Sequence, residues 1–413
     1  MARVNSEIGK LESVILHHPG SEVENMTPEN AERALYSDIL NPTVASREYN
    51  DFKNVLSLVA STYEVADLLE ETLAIEGARS KIIENVCLIE KKEELREYLS
   101  SLSNEDLAKQ LIEGVPIRRN TLTNFLSDER FSLPPLHNFF FTRDASMSFN
   151  DKVLIGEMHS KVRAREALIM EIIFSYNEKV KSETVKLEKS AAEFSIEGGD
   201  FLVASEHVYL IGNGLRTTTH AIDAFINYLR SNTREKKYVI VQELPDKLES
   251  FIHLDMVFTF LNKNECLIYE PVILNQHDYR TVVITIDNGK IKSIKEAKNI
   301  LSSLSRLGFD LEPIACGGET DLWIQQREQW HSGANFLAFE PGKILGYGRN
   351  QYTLEEISKH GYEVKSAKDI ISGNAKIEDY DKIAVTIDGA ELARGGGGCR
   401  CMTMPVNRKD VDW

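Results

Sequence analysis

Long apolar runs are missing from this 413-residue chain, positive charge is in the minority and cysteine is scarce. Without eighteen consecutive apolar residues, a membrane-spanning helix is not expected. The opening MARVNSEIGK lacks the hydrophobic segment of a secretory signal, so a cytoplasmic protein is expected. Lys and Arg total 48 against 64 Asp and Glu, a net charge of -16. That balance disfavours nucleic acid and anionic membranes as partners and favours encounter with small cations, within a screening length of about 8 Å. The five cysteines (Cys87, Cys266, Cys316, Cys399 and Cys401) are odd in number and scattered, a poor disulfide framework. Cys399 and Cys401 stand close together, but no further Cys or His gives zinc spacing, so no metal is expected.

What is present is enough apolar material, 42%, for a sizeable core. Length alone leaves open one large domain or several smaller ones. LESVILHHPG reads as a strand ending in a turn. From about residue 70 to 120 the chain is charged, nearly free of proline and helically patterned. Ser103 with Asp106 marks a helix start, with Leu107, Leu111 and Ile112 on one face. Beyond Pro134-Pro135, strands and helices alternate with a loose repeat: apolar strand, glycine or polar turn, arginine, amphipathic helix. VLIGEMHSKVRAREALIMEIIF, VYLIGNGLRTTTHAIDAFINYL and ILGYGRNQYTLEEISKHGY share that order. Apolar strand starts fall near residues 14, 153, 208, 268, 344 and 402, compatible with blades around an axis or with any alternating α/β protein.

Four fragments carry chemistry. ARGGGGCRCMTMP puts Cys401 after consecutive glycines, where a substrate can approach the backbone closely. IHLD places His253 and Asp255 on one face if the segment is extended. SIEGGD brings Glu197 and Asp200 around a glycine pair able to adopt unusual backbone angles, and FTRD sets Arg143 and Asp144 behind an aromatic run. Arg163, Arg165, Arg216 and Arg349 each follow a strand-turn segment. Plainer readings stand beside these: a surface histidine, an ordinary turn, a structural ion pair, solvated charges. Together, a thiol, an imidazole and several carboxylates point to covalent chemistry on a cationic substrate.

VNSEIGKLESVILHHPGSEVENMTP, HNFFFTRD, KVRARE, SIEGGD, IHLDMVFTFL and ARGGGGCRCMTMP, taken in order, resemble the arginine deiminase family. The resemblance implies an α/β five-bladed propeller of ββαβ modules, the pentein fold, with an inserted α-helical subdomain. It implies a catalytic domain over residues 1–71 and 134–413 and a helical insertion over 72–133. It also implies hydrolysis of L-arginine to L-citrulline and ammonia without metal or organic cofactor, and leaves homo-oligomerisation open. By resemblance, Cys401 is the nucleophile, His253 the acid/base, and Glu197 the carboxylate beside it. Asp144 and Asp255 would clasp the guanidinium, Arg163 and Arg216 would bind the α-carboxylate, and Asn138 would contact substrate. The neighbouring possibility is another guanidine-modifying hydrolase or an amidinotransferase.

Two departures stand out. Some members carry a mobile arginine five residues before the nucleophile, where this chain has Gly396; Arg394 and Arg400 are the nearest substitutes. YSDILNPTVASREY also differs from the DDIP-type string commoner at that point. The chemistry itself suits the residues. A guanidinium is a planar cation with a fork of donors that carboxylates can hold from two edges. A thiol near its ordinary pKa is mostly protonated at neutral pH, so a bound cation would help ionise it.

Overall fold

The computed structural model describes residues 1–26, 38–245, 249–274 and 279–413. Tyr36 and Ser37 of the atypical YSDILNPTVASREY string lie outside those residues. Among the described residues, five sheets of three or more strands repeat one pattern, an antiparallel pair whose second strand also pairs in parallel with a third. The middle strands are Leu11–Leu16, Lys152–Ile155, Val208–Asn213, Glu265–Ile268 and Lys343–Tyr347. These are the apolar starts read near residues 14, 153, 208, 268 and 344. The start near 402 is Met404–Arg408, which pairs antiparallel with Leu11–Leu16 and ties the end of the chain to its beginning.

Parallel pairing needs a crossover, and helices supply it. Pro42–Val59 leads from Leu11–Leu16 to Ser61–Glu64, Ala164–Tyr176 from Lys152–Ile155 to Glu183–Val185, and Thr219–Asn232 from Val208–Asn213 to Lys237–Glu243. Their starts are written locally. Asn41 accepts from the Val44 N–H with proline in the first turn, and Thr218 accepts from the Ala221 N–H. The third sheet is widened by the hairpin Thr281–Asp287 and Lys290–Ala297.

Helices Val65–Leu73, Glu76–Glu90, Arg96–Ser101 and Asn104–Glu113 occupy the charged stretch before Pro134. Ser103 caps the last of them, and Leu107, Leu111 and Ile112 are buried, as their spacing predicts. They share a core with Ala164–Tyr176, which is buried on nearly every side and mostly apolar, with Arg165, Glu166 and Glu171 as its buried charges. Arg165 is fully buried, pairing with Glu90 at 3.0 Å and bonding the Pro134 carbonyl. It fastens the helical stretch to Ala164–Tyr176 and does not line the cavity described below.

Candidate active site

The chemistry-bearing residues sit at equivalent places, just ahead of the first strand of an antiparallel pair. Asp144 precedes Ser146–Phe149, Glu197 precedes Phe201–Ser205, and His253 and Asp255 precede Phe258–Asn262. Cys401 precedes Met404–Arg408. The fifth such place, ahead of Leu337–Glu340, is held by Asn335, which sequence reasoning missed.

Hydrogen bonds join these turns one to the next. Arg143 N–H donates to the Cys401 carbonyl at 3.1 Å, and Gly198 N–H to the Asp144 carbonyl at 3.1 Å. Leu254 N–H donates to Asp200 Oδ1 at 2.8 Å, and Asn335 Nδ2 to the Asp255 carbonyl at 3.1 Å. Arg400 N–H and Cys401 N–H return to Asn335 Oδ1 at 2.9 and 3.2 Å. The circuit closes on itself.

Two turns differ from the expected conformation. His253 and Asp255 are not on a strand; residues Leu254–Met256 form a 3-10 turn with His253 as its cap, and the strand begins at Phe258. Gly198 and Gly199 lie outside the positive-φ glycines, so unusual backbone angles are not why they are there. Space is the reason. A Cβ on Gly198 would meet the Arg143 carbonyl oxygen at 2.0 Å, and one on Gly199 would meet His253 Nδ1 at 2.4 Å.

Cys401, His253, Asp144, Asn138, Arg163 and Arg216 line one small cavity of about 30 Å³, with Phe141, Ile252 and Gly395 to Gly397 completing its wall. The Cys401 thiol faces Asp255, 3.6 Å from Oδ2 and 3.9 Å from Oδ1. Burial drives its pKa well above the ordinary thiol range, and Asp255 and Asp144 push the same way. His253 Nε2 lies 3.0 Å from Glu197 Oε2, and Nδ1 lies 3.7 Å from Asp144 Oδ1. Burial would discharge the imidazole, but Asp144, the Glu197 bond and Asp200 outweigh it and raise the pKa to about 9. Burial likewise opposes ionisation of Glu197, yet the His253 bond, Arg216 and Arg163 bring its carboxyl down to about 2. Asp200, buried behind His253, is pushed up to about 7 by desolvation.

The arginines divide in role. Arg163 directs Nη1 to Asp144 Oδ2 at 2.7 Å, and Nε and Nη2 to Glu166 Oε2 at 3.0 and 2.8 Å. Glu166 stands three residues along in KVRARE, a spacing that marks a helical ion pair and was readable in advance. Arg216 is buried, 3.6 Å from Glu197 Oε2, and its Nε and Nη1 have no hydrogen-bond partner among the described residues. Arg400 is buried too, between Asp255 Oδ2 at 2.8 Å and Glu7 at 3.0 and 3.1 Å. It cannot swing as a mobile arginine would without abandoning both carboxylates. Arg394 is half-exposed, paired with Asp38 and Glu391 beside a neighbouring pocket. Arg349 bonds the Gly389 and Ala390 carbonyls. Cys399 is buried, and desolvation with Glu48 nearby pushes its thiol well up.

Asp144, Glu197 and His253 form the one group among the described residues whose ligand atoms lie close enough to hold a metal ion, within 4.8 Å. Two of these three groups are already engaged by arginine, Asp144 with Arg163 at 2.7 Å and Glu197 with Arg163 and Arg216 at 4.0 and 3.6 Å. Acceptor capacity remains open at Asp144 Oδ1, which has no hydrogen-bond partner among the described residues, while Asp255 Oδ1 takes a long contact of 3.9 Å from the Cys401 thiol. Two carboxylate oxygens near a sulfur and an imidazolium suit a planar cation that is attacked by sulfur and protonated as it breaks.

Comparison with known proteins agrees with that chemistry. A sequence profile described as arginine deiminase matches residues 32–408. The arginine deiminase of Listeria innocua is 34% identical over 99% of this chain and 98% of its own length. Among solved structures, SxtG, an amidinotransferase from Microseira wollei, has a TM-score of 0.54 at 11% identity, covering 99% and 98% of the two chains. The N-terminal domain of ArgZ, a cyanobacterial arginine dihydrolase, has a TM-score of 0.53 at 13% identity, covering 96% and 97%. The last two establish a shared mixed α/β fold. No helix among the described residues is long and apolar enough to cross a membrane.

Proposed function

This chain belongs to the arginine deiminase family, and from that premise we propose that it hydrolyses L-arginine to L-citrulline and ammonia through a thiouronium on Cys401. The observation that carries the assignment of roles is the thiol 3.6 Å from Asp255, in a cavity shared with His253 and Asp144. Asp144 accepts from the guanidinium through its open Oδ1, and Asp255 through Oδ1 once the thiol has given up its proton. The added positive charge offsets the two carboxylates that hold the thiol protonated, so binding and ionisation are linked.

The thiol gives its proton to solvent as the substrate binds, and the thiolate sulfur then bonds to the guanidinium carbon, giving a neutral tetrahedral adduct. His253, protonated at neutral pH, passes its proton to the departing nitrogen; the C–N bond breaks and ammonia leaves. Neutral His253 takes a proton from water as the oxygen attacks the thiouronium carbon. The C–S bond breaks, the thiolate re-forms, and citrulline departs after losing a proton. Glu197 keeps the imidazole oriented and charged before the first transfer. Arg216, with unpartnered donors, receives the substrate α-carboxylate; Arg163 joins it by exchanging Asp144 for substrate, and Asn138 contacts the amino-acid end.

The closed circuit of hydrogen bonds supports a five-bladed arrangement in which each ββαβ unit lends one turn to the centre. We read residues 1–71 and 134–413 as that catalytic body and 72–133 as a helical insertion packed on Ala164–Tyr176. Five unpaired cysteines suit reaction in the cytosol. The test is turnover of arginine with citrulline and ammonia measured together, for the unaltered protein and Cys401→Ser. Equal citrulline and ammonia, abolished by the substitution, is expected; an amidino group appearing on an added amine with no ammonia would point to transfer instead.

A further inference from the structure

We propose that Asn335 is a positioning residue that sets the Cys401 nucleophile against the Asp255 carboxylate, an inference that rests on the reading above. Asn335 lies 66 residues before Cys401 and 80 after Asp255, and it is almost wholly buried. Its carboxamide oxygen accepts from two consecutive amides, Arg400 N–H at 2.9 Å and Cys401 N–H at 3.2 Å. Its Nδ2 donates to the Asp255 carbonyl at 3.1 Å. The orientation of the amide is fixed by these neighbours, because a flip would oppose N–H to two N–H groups and oxygen to a carbonyl.

A second path runs between the same residues. Arg400 Nη1 bonds Asp255 Oδ2 at 2.8 Å, so Asn335, Asp255 and Arg400 form a closed ring of hydrogen bonds. Cys401 is the next residue along from that ring. Of the five junctions between neighbouring turns, Asn335 makes two with a single side chain. Those two junctions lie on either side of it, toward the guanidinium-binding carboxylate and toward the nucleophile. Close packing leaves it little freedom. A Cβ on Gly398 would meet Asn335 Oδ1 at 2.6 Å, so the glycine before Cys399 makes room for this carboxamide.

Asn335 lies outside the set of side chains that line the cavity, so its effect falls on the alignment of sulfur and carboxylate. Loss of alignment on the order of 1 Å costs about a hundredfold in rate while leaving most binding contacts in place. The experiment compares Asn335→Asp and Asn335→Ala with the unaltered protein for kcat, KM and the pH dependence of kcat. Asn335→Asp preserves volume and acceptors, removes the donor to Asp255, and adds negative charge at the Cys401 backbone amide. Both variants are expected to lose about a hundredfold in kcat, with KM changed by less than about threefold. Asn335→Asp should also shift the limb governed by thiol ionisation toward higher pH.

If Asn335→Ala fails to fold, Asn335→Ser carries the same expectation, since its hydroxyl is one atom shorter than the carboxamide and cannot span from the amides to Asp255. Near-normal kcat in either folded variant, or a loss confined to KM, overturns the inference. Absence of citrulline from the unaltered protein would sink the deiminase reading instead, so the two failures are distinguishable.

Discussion

Substituting Glu197→Gln gives the sharpest view of the electrostatics around the imidazole. Glu197 Oε2 lies 3.0 Å from His253 Nε2, in a setting where neither side chain is reached by solvent. The folded His253 pKa of about 9 stands above its ordinary 6.5. A bond to a charged group contributes roughly 1.5–3 kcal/mol, which at 1.36 kcal/mol per unit corresponds to about one to two pKa units. Glutamine keeps the acceptor but not the charge, so His253 should titrate about one to two units lower. The measurement is an NMR titration of the His253 ring, which needs no turnover. Stability shifts in parallel. Because the folded pKa is raised, stability linked to His253 is fully present below about pH 6.5 and is lost as pH rises through about 9. That contribution, on the order of 3 kcal/mol in the unaltered protein, should shrink in Glu197→Gln. A His253 that titrates near 6.5 in the unaltered protein, or that does not respond to the substitution, refutes the reasoning.

Asp144→Asn and Asp255→Asn should each lower kcat/KM by about thirtyfold to five-thousandfold, since each removes a charged acceptor in a buried site, worth about 2–5 kcal/mol; steady-state kinetics checks both. Arg216→Ala should raise KM for arginine far more than it lowers kcat, and agmatine, without an α-carboxylate, should be a poor substrate for the unaltered protein and respond little to the change. Thiolate absorbance should be low in the free protein at pH 7, since burial, Asp255 and Asp144 hold the Cys401 proton. It should rise when a non-reacting guanidinium analogue binds, and a free protein already fully thiolate would contradict the linkage.

Much of this was legible in the chain itself. The apolar starts near 14, 153, 208, 268 and 344 are middle strands because a strand flanked by neighbours and covered by helices must be apolar on both faces. Ser103 announced its helix through a local cap, which depends on a few adjacent residues only. The turns were harder. His253 and Asp255 reach the centre from a 3-10 turn, whose three-residue period is too short to leave a pattern. Gly198 and Gly199 looked like angular requirements, yet they answer to Arg143 and His253, which are distant in sequence. Asn335 left no signal at all. Its neighbours in sequence are unremarkable, and its three partners lie 65, 66 and 80 residues away. Arg400 stood out as a substitute for the arginine missing at Gly396, but its partners Glu7 and Asp255 lie 393 and 145 residues off, beyond any local reading.

Attack by sulfur on the guanidinium carbon is best tested by mass spectrometry of the unaltered protein, quenched at a series of early times during turnover of arginine. The account predicts an added mass of arginine less ammonia on the peptide that carries Cys401. Citrulline formed with that peptide never modified, at any quench time, would contradict it.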